Sequence, residues 1–350
     1  MRVIQLGPFP PPHGGVQTNL VAIRDHLRAH GHGAAVVHLS RHRKTEADEV
    51  YYPKTALETA RLLFAQPADV VHLHIGGQLS SRMLGLCFLC SVVPGRKSVL
   101  TFHSGGFCSS PEGKAITSQG AAARVFRRLD AIIAVNQQIH DFFVDRCQVP
   151  RERVHLIPPH ASIGAALEGS GELPAELQQF FDRHDPLLLS VGLLEPEYDL
   201  PVQIMALGRI RQKHPNAGLL MIGSGALEAE LRALIAAQPF AEHLWLAGDV
   251  PHKTVLRAIR DCRMLLRTTH YDGDALSVRE ALELGTPVIA TDNGMRPPGC
   301  HLIPAPPQAE PLCEQIEKLL GSPVPVSPPK ASAVGTQNLD AILDLYRRLR

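Results

Sequence analysis

His270-Tyr271-Asp272-Gly273-Asp274-Ala275-Leu276-Ser277-Val278-Arg279-Glu280-Ala281-Leu282-Glu283-Leu284-Gly285-Thr286-Pro287-Val288-Ile289-Ala290 is the stretch on which the reading of the fold turns. A short apolar strand, Met264–Arg267, runs into it. An acidic, glycine-containing turn follows, a helix opens at about Ser277, and a second apolar strand begins at Val288. This is one βαβ unit, whose crossover implies a right-handed parallel pair. Its strands are continuous apolar runs and do not alternate, as expected when helices cover both faces of a sheet.

The same rhythm extends in both directions. Strands are expected at Val3–Leu6, Ala34–Leu39, Val70–His74, Ser98–His103, Ala131–Val135 and Val154–Ile157. After a polar gap come Leu187–Val191, Gly218–Ile222 and His243–Leu246, before the pair already quoted. Helical patterns lie between them at Val16–His30, Ala115–Arg128, Gln137–Arg146, Val202–His214, Leu227–Ala237 and Val278–Leu284, with Gly120 interrupting the second. The expected class is α/β, with doubly wound parallel sheets. Turn residues cluster at Pro158–Gly164 and Gly169–Gly171, and a Pro-rich connector at Gly321–Pro329 precedes a last helix, Leu339–Leu349. Two domains are therefore expected, over residues 1–162 and 163–335. No fixed-period repeat is present, which excludes solenoids and propellers.

Composition narrows the functional classes. The chain has 350 residues, 45% apolar and 20% charged, with a formal net charge of +1. That balance excludes a disordered chain or a coiled coil, and a dedicated nucleic-acid binder would carry a basic excess. Met1–Gly7 is too short for the apolar core of a signal peptide. The longest apolar run, Met83–Val93, falls below the ~20 residues of a membrane span and reads as a buried helix. Seven scattered cysteines do not form a disulfide framework, so a reducing cytoplasm is expected. Cys87-x-x-Cys90 lies inside the apolar run without a second pair, and reads as two core thiols.

In open parallel sheets, ligands bind beyond the carboxyl ends of the strands. Gly14 and Gly15 follow the first strand and open a helix, where free amides can meet an anion. His72 and His74 share one side of a strand, which makes a metal pair conceivable, but no further ligand sits at useful spacing and strand-end hydrogen bonding is the plainer reading. His103 precedes a glycine pair and is expected at a sheet edge facing a crevice. Ile222-Gly223-Ser224-Gly225 departs from a dinucleotide fingerprint, because Glu228 replaces the third glycine. It reads either as a helix-opening turn or as a phosphate contact.

The late turn supports two readings. Ser277-x-x-Glu280 fits a capping box. Alternatively, the amides of Ala275 to Val278 hold phosphate while Asp272 and Glu280 accept hydroxyl hydrogen bonds, which suits a nucleotide sugar.

Taken in order, these segments resemble family-4 glycosyltransferases of the GT-B architecture. The resemblance rests on Pro-Pro-His-Gly-Gly-Val, Phe-His-Ser-Gly-Gly, Val191–Pro196, Ile-Gly-Ser-Gly, Leu246–Val250 and an acid, Asp272, separated by seven residues from Glu280 and followed by Ala281–Ala290. It implies two Rossmann-like domains facing a cleft, with the final helix, 336–350, packing back on the first. It also implies retaining transfer from a nucleotide-diphosphate sugar without an obligatory metal or other cofactor. By resemblance Glu280 meets the ribose, Asp272 and His103 meet the transferred sugar, and Asp274, Ala275, Leu276 and Ser277 approach sugar and phosphate. Gly14, Gly15, Gly192 and Gly223 line the donor, and Asp249 and Val250 the base.

Two departures stand out. Asp272 is one methylene shorter than the family's glutamate, and the family's Arg and Lys after the first strand of the second domain are absent. Leu193 and Tyr198, flanked by Glu195 and Glu197, occupy that region. A leaving diphosphate needs cationic stabilisation, and Arg267 is the expected substitute. The competing readings are a catalytically silent homologue that binds nucleotide sugar as a regulatory partner, and a metal-dependent transferase using Asp272-Gly273-Asp274 as a DxD. The expected acceptor is a polysaccharide, glycoconjugate or lipid-linked glycan. Arg124, Arg127 and Arg128, with Arg41-His42-Arg43-Lys44, are candidates for peripheral contact with the inner face of a membrane, though a solvated helix face is the plainer reading.

Overall fold

The computed structural model describes residues 1–10, 15–39, 47–159, 173–270, 275–294, 296–322 and 336–350. The chain divides into two compact units, Met1–His160 together with Thr336–Arg350, and Ala161–Gly335.

The first unit runs β1 (Arg2–Gly7), α1 (Gly15–Ala29), β2 (Gly33–His38), β3 (Val50–Tyr51), α2 (Ala56–Ala65), β4 (Val70–Ile75), α3 (Ser81–Val92) and β5 (Lys97–Phe102). It continues through α4 (Gly105–Ser109), α5 (Pro111–Ala115), α6 (Ala121–Phe126), β6 (Ala131–Ala134), α7 (Gln137–Asp141) with a π turn at Phe142–Arg146, and β7 (Val154–Leu156). The seven strands form one parallel sheet in the order β3-β2-β1-β4-β5-β6-β7.

Successive residues of these strands feed opposite faces. Ile4, Val71, Leu100 and Ile132 pack on one side with Phe126 and Phe143. Val3, Val70, Val99 and Ala131 pack on the other, with Ile23 and Leu27 of α1. All six residues of β4 are buried, His72 and His74 included, so the alternation of apolar and polar residues over Val71–Ile75 does not mark a solvent-facing side.

The second unit runs α8 (Ala175–Arg183), β8 (Leu187–Val191), α9 (Leu200–Ile210), β9 (Gly218–Ile222), α10 (Glu228–Ala236), β10 (Leu244–Gly248) and α11 (His252–Asp261). Then come β11 (Met264–Arg267), α12 (Leu276–Glu283), β12 (Val288–Thr291), β13 (His301–Ile303) and α13 (Ala309–Leu320). Its parallel sheet has the order β10-β9-β8-β11-β12-β13. Leu187 and Leu189 face α11 and α12, whereas Leu188 faces α9 and α13.

The last helix, α14 (Gln337–Leu349), belongs to the first unit. Its buried Leu339, Ile342, Leu343 and Tyr346 recur at helical spacing and complete the layer formed with α1. No described helix is long and apolar enough to cross a membrane.

Several expected elements differ. Of the helix expected over Ala115–Arg128 only Ala121–Phe126 forms as α6: α5 ends at Ala115, and Gly120 is the N-cap of α6 and not an interior residue. The helix expected over Gln137–Arg146 passes into a π turn at Phe142. β3 and β13 are two- and three-residue strands on the sheet edges, too short to give a pattern. In α11, Lys253, Arg257, Arg260 and Asp261 mask a buried stripe of Val255, Leu256 and Ile259.

Candidate functional site

In each sheet the chain winds outward from a central strand and then resumes on that strand's other side. In the second unit this reversal falls between β8 and β11. Strand carboxyl ends at such a point diverge and leave room for a ligand. Gly192 follows β8 there, and Arg267 ends β11.

Arg267 is 7% exposed, not the surface residue that a strand end suggests. Its Nη1 donates to the Val191 carbonyl at 2.9 Å, and its guanidinium lies 4.5 Å from the centre of the Tyr198 ring. A cation over an aromatic face is held electrostatically. Tyr198, which stands where a cation was missing from the sequence, thus carries one supplied by β11. Thr268, next in the chain, donates to the Tyr198 carbonyl at 2.9 Å and receives Gln203 at 2.8 Å. The loop after β8 is thereby fixed to the end of β11.

The two glycine turns beside it are explained by close backbone approach. A Cβ on Gly223 would lie 1.9 Å from the Gly192 carbonyl oxygen, and φ there is +135°. A Cβ on Gly192 would lie 2.6 Å from both Arg267 Nη1 and Tyr198. Only glycine fits at 223, where the clash is with backbone, whereas a side chain at 192 would displace Arg267 or Tyr198. Ser224, between Gly223 and Gly225, donates to Asp249 Oδ2 at 2.8 Å. Asp249 is exposed at the end of β10, with Val250 partly buried beside it.

The capping-box reading of Ser277 and Glu280 is overturned. Helix α12 starts at Leu276 with Ala275 as its N-cap, so Ser277 lies inside the first turn and its hydroxyl faces the Val191 carbonyl at 3.4 Å. The amides of Leu276 and Ser277 belong to that first turn, which has no intrahelical acceptors to offer them. Glu280 is 2% exposed, and its Oε1 accepts from His252 Nε2 at 2.6 Å. Burial alone would push the His252 pKa down, but the hydrogen bond and charge of Glu280 prevail and raise it above its ordinary value.

His252 and Arg296 escaped the sequence reading. His252 opens α11 only two residues beyond Val250, so its place at a strand exit was a usable signal. Arg296 donates through Nε to the Thr291 carbonyl at 3.0 Å and through Nη2 to Thr269 at 2.5 Å, spanning the exits of β11 and β12. Gly14, Asp272 and Asp274 lie outside the described residues.

In the first unit the reversal falls between β1 and β4. Gly15 opens α1, and His103 follows β5. His72 and His74 are not a metal pair. They sit within β4, and His72 is bonded to Tyr346 OH at 2.5 Å and to Thr101 at 2.7 Å. His74 belongs to a chain whose hydrogen positions can be deduced. Gln5 Nε2 donates to the Leu20 carbonyl, so its Oε1 faces His74 Nε2 at 3.0 Å and that nitrogen carries the hydrogen. Burial, with His72 and His103 adding to it, holds His74 neutral. Its bare Nδ1 therefore accepts from His103 Nε2 at 3.4 Å. Burial also pushes His103 down to about 4. The outer nitrogen of His103, Nδ1, is left as an acceptor.

The basic residues considered for membrane contact are not one patch. Arg127 Nη1 donates to the carbonyls of Ser118 and Cys147 at 2.9 and 2.6 Å, and Arg128 lies over Phe88. Arg124 is exposed, and Arg41–Lys44 lie outside the described residues. Cys87 and Cys90 are buried thiols, with burial raising Cys87 to about 12.

Residues 13–161 match the model described as Glycosyltransferase Family 4, and residues 176–324 the one described as Glycosyl transferases group 1. An uncharacterised glycosyltransferase of Methanocaldococcus jannaschii is 23% identical over 168 residues. That match spans 48% of this chain and 41% of the relative's length. Among solved structures, HepE of Anabaena in complex with UDP-glucose has a TM-score of 0.68 at 16% identity, covering 100% of this chain and 98% of that one. WaaG, titled a glycosyltransferase involved in lipopolysaccharide biosynthesis, has 0.65 at 17%, covering 99% and 95%. The fold they share with this chain is GT-B.

Proposed function

Since the chain belongs to the family-4 glycosyltransferases, we propose that it transfers a sugar, with retention, from a nucleotide-diphosphate donor to a polysaccharide or glycoconjugate acceptor. The observation that carries this reading is the convergence at the β8/β11 reversal of a buried cation, Arg267, and the N-terminal end of α12, the helix that carries Glu280. Structural neighbours solved with UDP-glucose are in keeping with such a donor.

Each group has a task in this proposal. The N-cap amide of Ala275 and the first-turn amides of Leu276 and Ser277 meet a phosphate, and Arg267 takes up negative charge as the diphosphate departs. Glu280, held by His252 through one oxygen, offers the other to the ribose hydroxyls. Gly192 and Gly223 let the backbone approach the donor, and Asp249 and Val250 border the base. In the first unit, Gly15 faces the diphosphate, and His103 Nδ1 accepts from a sugar hydroxyl. Asp272 and Asp274, on grounds of sequence alone, contact the donor sugar. Cationic and dipolar groups do the work here, so the proposed transfer needs neither a metal nor another cofactor.

A thermal-shift panel of UDP-, GDP-, ADP- and CMP-sugars tests the reading. A ligand at 100 times its Kd stabilises the native state by about 2.7 kcal/mol, which moves the midpoint by several degrees. One of the diphosphate sugars should raise the midpoint, the monophosphate CMP-sugar should not, and turnover of the active donor should persist in EDTA. If none of the donors raises the midpoint, the donor site is wrong. Binding without transfer or donor hydrolysis would favour a silent regulatory homologue. Transfer abolished by EDTA would favour the DxD mechanism.

A further inference from the structure

We propose that His26, His30 and Asp340 form a binding site for a divalent metal of the zinc class, which ties α14 to α1. Their candidate ligand atoms all lie within 4.8 Å of one another. His26 lies in the last turn of α1 and His30 immediately follows the helix end, four residues on, with ring centres 4.2 Å apart. Asp340 comes from the first turn of α14.

The hydrogen bonds around these side chains are those of ligands awaiting an ion. His30 Nδ1 donates to the His26 carbonyl at 2.8 Å, so in the neutral ring the lone pair is on Nε2. Metal-binding histidines are fixed in this way by a carbonyl on the other nitrogen. Asp340 Oδ2 receives the Thr336 hydroxyl at 2.8 Å, leaving Oδ1 uncommitted to that bond. His26 Nε2 is buried without a hydrogen-bond partner, although its side chain is only 8% exposed. Asp340 Oδ1 lies 3.0 Å from it as an ion pair, a separation short enough for one ion to take both atoms.

Two imidazoles and one carboxylate, with a water in the fourth position, suit Zn²⁺. Bonds of about 2.0–2.2 Å place tetrahedral ligands about 3.4 Å apart, within reach of small side-chain rotations. The ion would clamp the seam beside Leu339, Ile342 and Tyr346, and has no part in the donor chemistry proposed above.

Calorimetric titration of Zn²⁺ into the tag-free, chelator-treated full chain tests the site, with the thermal midpoint as a second readout. The wild type should bind one tight equivalent and gain stability by mass action. His30→Ala and Asp340→Asn should each weaken that equivalent about tenfold or more and lose the stabilisation. His214→Ala, in the other unit, should bind as the wild type. The site is refuted if the wild type takes up no tight equivalent, or if His30→Ala and Asp340→Asn both retain it.

Discussion

His252 Nε2 donates to Glu280 Oε1 across 2.6 Å, joining the first residue of α11 to the fifth of α12. The two helices follow strands β10 and β11, which are separated in the sheet by β9 and β8. A carboxylate buried to 2% exposure is thus oriented by an imidazole that remains partly open to solvent.

The first prediction concerns the charge on that imidazole. Burial opposes it, but the bond and charge of Glu280 outweigh burial, so the folded-state pKa of His252 is raised. Its stabilising effect is therefore full below the unfolded value near 6.5 and fades as pH rises through the folded value. His252→Gln keeps a donor but removes the charge. The wild type should exceed this variant by about 1 kcal/mol in denaturant titrations near pH 5.5, with the gap narrowing as the pH rises above 6.5. A gap that stays constant, or widens, over that range contradicts the pairing.

Glu280→Gln probes the ribose contact. Hydrogen bonds to a charged group contribute about 1.5–3 kcal/mol, so nucleotide-sugar affinity should fall about 10- to 100-fold. Because the amide can still accept from His252, the thermal midpoint of the free protein should move much less than it would for Glu280→Ala. Unchanged affinity in isothermal titration would remove Glu280 from the donor site.

Arg267 yields a kinetic prediction. A group that stabilises charge only as it develops lowers kcat when removed, by about 10²- to 10³-fold for one strong donor, and leaves KM nearly alone. Arg267→Ala should show that split, and Arg267→Lys should recover part of the loss, because the charge returns without the planar group that lies over Tyr198. The alanine variant also removes the shorter of the two side-chain hydrogen bonds to the Val191 carbonyl, so some loss of stability accompanies it. Full turnover in Arg267→Ala would end the idea.

How far these sites could be read from sequence depends on what each residue type betrays. Buried parallel strands such as Gly218–Ile222 announce themselves as apolar runs, because both their faces are covered. Glycines 192 and 223 stood out as turn residues, but the 1.9 Å approach that demands the second is a long-range property of two turns. Ser277 and Glu280 had capping-box spacing, and only the helix start at Leu276 and the partner His252 on another helix overturn it. Arg267 and Tyr198 are far apart in sequence, so their stacking left no local pattern. The partner of His72 was still less legible, since Tyr346 arrives on the final helix.

The buried histidines of β4 give the last prediction. Burial lowers His72 to about 3, and burial with its histidine neighbours takes His74 well below its ordinary value near 6.5. In the unfolded chain both take up protons near pH 6.5, whereas the native state refuses them until far lower pH. Below pH 6.5 the unfolded state therefore holds more protons, and stability falls as pH drops, by about 1.4 kcal/mol per pH unit for each group. The window from about pH 6.5 to 5 lies above the range where ordinary carboxylates titrate, so the slope there reports histidines. Urea titrations across it should show a steep loss of stability for the wild type. His74→Gln can still bond Gln5 and His103 but takes up no proton on unfolding, so its slope should be shallower by about 1.4 kcal/mol per pH unit. Equal slopes for the two proteins would mean that His74 is already charged in the native state, and the deduced hydrogen positions from Gln5 to His103 would fall with it.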